Sequence, residues 1–199
     1  VLSVDYRLAP EHPHPAAVED STTAYRWLLD QGFDADRLAV SGDSAGGGLT
    51  VSTLLKLRDD GTPLPVGGVP ISPWVDMEGL GESMTTRADV DVLIDGARLK
   101  EGGKVFLAGG DARDPLAAPL YGDFTGIPPL LIQVGDEETL LDDSPRLAEV
   151  AEQAGVDVRL DVFPEMQHVF QLFTGNMPEA DEAVAQIGTW LRPRLGLGS

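Results

Sequence analysis

Apolar positions in this chain follow two rhythms that take turns. Short apolar or alternating runs at Val1–Tyr6, Leu38–Ser41, Val66–Ser72, Pro129–Val134 and Val156–Phe163 predict strands, because a bounded run or a period of two suits a pleated ladder. Between them apolar residues recur at helical spacing. Val18, Tyr25, Leu28 and Leu29 follow Pro15, a residue suited to a first helical turn, and Gly32 stops the run. Leu49, Leu54, Leu55 and Leu57 populate a second helix over about Gly47–Lys56, ended by Gly61 and Pro63. Leu147, Val150, Ala151 and Ala154 keep an i, i+3, i+4, i+7 spacing after Ser144-Pro145, and Gly155 ends them. Ala180, Ala183, Val184, Ile187 and Leu191 share one face of a last helix from Pro178.

From Trp74 to about Pro119 the pattern weakens, with one helix expected around Leu93–Val105. We read 75–118 as an excursion out of the sheet, near a cap. Strands alternating with helices predict an α/β fold, a mostly parallel sheet covered on both faces, in one domain over 1–199. In such sheets reactive groups gather on loops at the carboxyl ends of strands.

One such loop carries the strongest chemical signal. Gly42-Asp43-Ser44-Ala45-Gly46 joins a predicted strand to a predicted helix. Glycines two before and two after a serine permit the sharp turn that lifts its hydroxyl above the sheet, and the helix behind it aims N–H groups at a developing oxyanion. This predicts a serine nucleophile at Ser44 with Ala45 N–H as an oxyanion donor. A serine hydroxyl needs a base. Of His12, His14 and His168, only His168 lies after a late strand, in the order serine, acid, histidine expected of such a sheet. The acid must come from the loop after Pro129–Val134, where Asp136, Glu137, Glu138, Asp142 and Asp143 offer five carboxylates. Asp142 and Asp143 suit the start of the next helix. Residue chemistry leaves Asp136 and Glu138 open.

Composition narrows the partners. Fourteen basic and 33 acidic residues give a net charge of −19, which argues against nucleic acid and anionic membranes. There is no cysteine, so disulfides and thiolate metal sites are excluded. No apolar run reaches the roughly 18 residues of a membrane span. No metal or cofactor is called for, and the expected partner is a small molecule.

The chain resembles the hormone-sensitive-lipase-type, or family IV, bacterial esterases of the α/β-hydrolase fold. The resemblance rests on Asp5-Tyr6-Arg7-Leu8-Ala9-Pro10-Glu11, Pro13 to Asp20, Gly42-Asp43-Ser44-Ala45-Gly46-Gly47, Asp114-Pro115, Ala118-Pro119-Leu120 and Pro128-Pro129. It implies a serine carboxylesterase with the catalytic triad Ser44, Glu138 and His168, acting in the cytoplasm on short- to medium-chain acyl or aryl esters. Glu138 is favoured over Asp136 because the family acid is followed by Leu at +2 and Asp at +4, matched by Leu140 and Asp142. Trp74, Leu140 and Val169 adjoin the expected site loops as candidate pocket residues, and ordinary core packing is an equal reading of each. The resemblance also implies a homodimer through the strand at 156–163.

The family's upstream His-Gly-Gly-Gly motif, which supplies most of the oxyanion hole, has no counterpart in these residues. The chain resembles the C-terminal two-thirds of an esterase, which leads us to expect a piece of a longer enzyme. A non-catalytic ligand binder of the same fold is the rival reading, and an intact His168 weighs against it. An amidase or arylformamidase would use the same triad and differ in its pocket.

Overall fold

The predicted crossovers close into strand–helix–strand units in the computed structural model, which describes residues 1–198. In chain order the elements are α1 (Ala16–Asp30), β1 (Val40–Asp43), α2 (Ala45–Asp59), β2 (Gly68–Ile71), α3 (Ser83–Thr86), α4 (Gly96–Leu107), β3 (Leu130–Gly135), α5 (Asp143–Gln153), β4 (Val158–Phe163) and α6 (Pro178–Arg194). The strands form one parallel sheet in the order β1-β2-β3-β4.

β3 is buried along its whole length, as a strand covered on both faces must be. Its side chains alternate between two cores. Leu130 and Ile132 join Val51, Leu54 and Leu55 of α2 and Leu147 and Ala151 of α5 on one face. Leu131 joins Val69, Trp190 and the partly buried Ile187 and Leu191 on the other, under α6. Removing a buried leucine such as Leu131 to alanine costs about 2–5 kcal/mol. Gln133 shares the face of Leu131, and its amide is satisfied there by the Ala183 carbonyl and by Gln171.

Several elements depart from the sequence expectation. Val1–Tyr6 has strand composition but forms no strand. A strand needs a ladder, and β1 pairs only with β2 among the described residues. The segment is held instead by Arg7, whose guanidinium grips Asp20 and Glu19 of α1. β1 begins at Val40 rather than Leu38 and runs on through Gly42 and Asp43, which pair with Pro70 and Ile71. The expected helix at 93–105 lies at Gly96–Leu107, because Asp95 caps it by accepting from Ala97 N and Arg98 N at 2.9 and 3.1 Å. The short α3 had no signal in the sequence. Among the described residues no helix is long and apolar enough to cross a membrane. The outer edge of β4 pairs with no other strand among them.

Candidate active site

All strands run the same way, so β1, β2, β3 and β4 deliver their following loops to one edge of the sheet. Ser44 sits in the single step between β1 and α2, at φ 54°, ψ −118°. That strained backbone is fixed from three sides. Ser44 N donates to Ile71 O at 2.9 Å, and Ser44 O accepts from Trp74 N at 3.0 Å and Gly48 N at 3.1 Å. Gly42 is required by the turn, because a Cβ there would strike the carbonyl of Gly46.

Three side chains from three loops meet. His168 Nε2 lies 2.9 Å from Ser44 Oγ, and His168 Nδ1 lies 2.6 Å from Glu138 Oε2. The carboxylate can only accept from Nδ1–H, so Nε2 is left as the acceptor of the serine proton. Glu138 is fully buried and His168 is 5% exposed. Burial pushes the Glu138 carboxyl above its ordinary range, while His168 and the Ser72 hydroxyl pull it down and the charge of Asp91 pushes it up. Chemically, this is a hydroxyl with a base in contact and an acid orienting the base.

The other candidate carboxylates are employed elsewhere. Asp136 Oδ1 accepts Glu165 N at 2.7 Å. As expected, Asp142 and Asp143 stand at the start of α5, at its N-cap position and in its first turn, but neither side chain makes a capping hydrogen bond. Asp142 Oδ2 takes Ser83 N, and Asp143 Oδ2 takes Val75 N and Asp76 N. Both carboxylates face back to the segment after β2, whose free N–H groups outcompete the helix end. His14 pairs through Nε2 with Asp114 at 3.2 Å and does not contact Ser44; it and His12 line the cavity that Ala45 also lines.

Ala45 is the first residue of α2, so its N–H has no intrahelical acceptor. Beside it opens a cavity of about 150 Å³, lined mostly by apolar side chains that include Leu49, Trp74, Met77, Phe106 and Leu116. Of the three candidate pocket residues, Trp74 lines this cavity. Leu140 and Val169 do not line it and are buried. Among the described residues no three His, Asp or Glu side chains converge on a metal-sized site.

Two contributors escaped the sequence reading. Asp91 accepts Thr139 N at 2.7 Å, and also Leu93 N and Ile94 N, which ties the excursion to the acid loop. Gln167 holds Val90 O and Val92 N through its amide, tying the same excursion to the histidine loop. Their only sequence signal is adjacency, of Gln167 to His168.

The fold and this geometry agree with the α/β-hydrolase fold family, which matches residues 1–172, and the chain belongs to it. It is 52% identical to a crystallised esterase of the bacterial hormone-sensitive lipase family, with a TM-score of 0.94, covering 96% of this chain and 64% of that one. An acetyl-hydrolase of Streptomyces hygroscopicus is 49% identical over 100% of this chain and 66% of its own length. An esterase of Acinetobacter venetianus is 39% identical over 94% of this chain and 62% of its own. The chain thus spans just under two thirds of these relatives.

Proposed function

We propose that the protein is a carboxylic-ester hydrolase working by acyl transfer, with Ser44 as nucleophile, His168 as general base and acid, and Glu138 as the residue that orients His168. The observation that carries this is the continuous contact from Ser44 Oγ through His168 to Glu138, at 2.9 and 2.6 Å. As Ser44 attacks the ester carbonyl, its proton passes to His168 Nε2. The imidazolium so formed is stabilised by Glu138, which stays ionised. The carbonyl oxygen gains negative charge where Ala45 N–H is unpaired, and such donors act on the charge that develops in the transition state. His168 then protonates the leaving alcohol. Water, deprotonated by the same nitrogen, attacks the acyl-serine and frees the acid.

The cavity beside Ala45 supports a small acyl or aryl group. Its volume of about 150 Å³ matches the scale at which an apolar protein cavity accepts a benzene-sized guest. The related acetyl-hydrolase and esterases support the same substrate class.

The test is hydrolysis of p-nitrophenyl acetate, butyrate and decanoate by the purified protein, with its intact mass taken on the same sample. Turnover of the two short esters that falls on the order of 10⁴–10⁶-fold in Ser44→Ala is the expected result. Equal turnover by Ser44→Ala, or Ser44-dependent cleavage of anilides in preference to esters, would overturn the reading.

A further inference from the structure

Beside the Glu138–His168 pair, two residues that are not glycine share a left-handed backbone and bind one another. Ser72 has φ 43°, and Val169 has φ 53°, ψ 39°. For a β-branched residue such as Val169 that conformation is costly and persists only where the surroundings over-determine it. Val169 N–H donates to Ser72 Oγ at 3.1 Å. Ser72 N–H in turn donates to Gln133 O at 2.7 Å, which fixes Ser72 to the end of β3.

The hydrogen-bond accounting around these residues is incomplete in a suggestive way. Ser72 is fully buried. Its oxygen is occupied as an acceptor, and its own proton is still to be given. Glu138 is fully buried as well. Oε2 takes the imidazole N–H, while Oε1 has no hydrogen-bond partner among the described residues. Buried carboxylate oxygens are normally satisfied, and leaving one bare is costly. Ser72 Oγ and Glu138 Oε2 engage consecutive residues, Val169 N and His168 Nδ1, and the hydroxyl also helps pull the carboxyl down, while Oε1 is left without a hydrogen bond.

We propose that Ser72 is a positioning residue of the site: its oxygen holds Val169 N–H while its proton is given to Glu138 Oε1. One buried hydroxyl then ties the acid to the backbone of the residue that follows the base. It fixes the carboxylate plane in which His168 Nδ1–H must lie. The charged groups facing Glu138 are His168 and Asp91. Asp91 is committed to the N–H groups of Leu93, Ile94 and Thr139, which leaves Ser72 as the neutral donor at the acid.

The assignment of Ser72 to catalysis rests on the ester-hydrolase reading, and the experiment separates the two. Ser72→Ala removes the hydroxyl. Ser72→Gly also removes it but accepts a positive φ without strain, so a defect of backbone origin appears in the alanine variant alone. The first readout is the ¹⁵N titration of the histidine rings, which needs no turnover. In both variants the apparent pKa of the Glu138–His168 pair rises by about 0.5–1 unit, because the carboxylate has lost a donor. The second readout is ester hydrolysis. In both variants kcat/KM falls about 10–100-fold, KM stays within about twofold, and the acid limb of the pH profile moves upward. An unmoved His168 titration in both variants overturns the role of Ser72, whether or not the protein turns over an ester. So does an effect confined to Ser72→Ala. A moved titration in a protein without Ser44-dependent turnover upholds the contact and counts against the proposed activity alone.

Discussion

At Glu138 two demands conflict. Burial favours the protonated acid, and the imidazole needs a carboxylate. The 2.6 Å contact to His168 Nδ1 resolves this only while the partner is a charged acceptor. Glu138→Gln keeps the size but presents an amide that can hold the wrong imidazole tautomer. The expected loss of kcat is roughly 10³–10⁴-fold. Asp136→Asn removes a carboxylate that only steadies Glu165 N, and turnover should stay within about threefold. Steady-state kinetics of the two variants discriminate the acids; a large loss in Asp136→Asn with little in Glu138→Gln would reverse the assignment. The choice was hard to read from the chain because the two residues lie two apart in one loop. What separates them is that Asp136 N–H still bonds Phe163 O at the end of the ladder, whereas Glu138 lies past it and turns inward. Ser72 was invisible for a related reason. Nothing in Ile71-Ser72-Pro73 marks a left-handed residue.

At the scale of elements, the strand–helix alternation was legible because each crossover must bury one face. Ends were less so, because they are decided by which N–H groups find acceptors. Asp95 starts α4, and Val1–Tyr6 stays out of the sheet for want of a neighbour. The acidic pair at the start of α5 sits where it was expected, but its hydrogen bonds could not be read for the same reason, since the N–H groups after β2 that it accepts lie far away in sequence. One junction makes a sharp prediction. Gly135 ends β3 against the histidine loop, where an added Cβ would run into the carbonyls of Met166 and Gln167. Gly135→Ala should cost about 1–3 kcal/mol through overpacking. It should also displace His168, lowering kcat more than it raises KM. Melting curves and kinetics on the same preparation check both parts. An unchanged melting point with wild-type kcat would show that this contact yields without consequence.

Across the whole molecule, the loop that carries Trp74 is pinned to α5 by a buried acid–acid–base cluster. Arg146 Nη1 lies 2.7 Å from Asp76 Oδ2 and 3.8 Å from Asp143 Oδ1. Burial pushes the Asp143 carboxyl up to about 7, against the two backbone N–H groups it accepts. Burial pushes Asp76 the same way, but the N–H groups of Leu80 and Glu78 together with Arg146 outweigh it and hold Asp76 below its ordinary range. The raised Asp143 pKa means the folded state binds its proton more tightly. Its contribution is therefore full below about pH 4 and is lost as pH rises through about 7, at most roughly 4 kcal/mol. Asp76 has the opposite sign, contributing above its unfolded value and losing that contribution in acid. Asp143→Asn should flatten the fall in stability between about pH 4 and 7 seen by denaturant unfolding. A slope identical to that of the parent would place the titration elsewhere.

The Ser44–His168 hydrogen bond joins residues 124 apart in the chain. Nearly two thirds of the polypeptide is enclosed by that single contact, and loop closure on this scale is among the slow, entropically opposed events of folding. Between the two residues lie β2, β3 and the whole of β4, so the imidazole reaches the hydroxyl only when the last parallel strand has docked. A nascent or half-assembled chain has a serine of ordinary, feeble reactivity. Capture of Ser44 by a phosphonylating reagent during refolding would therefore time the end of assembly, lagging behind the recovery of helical circular dichroism.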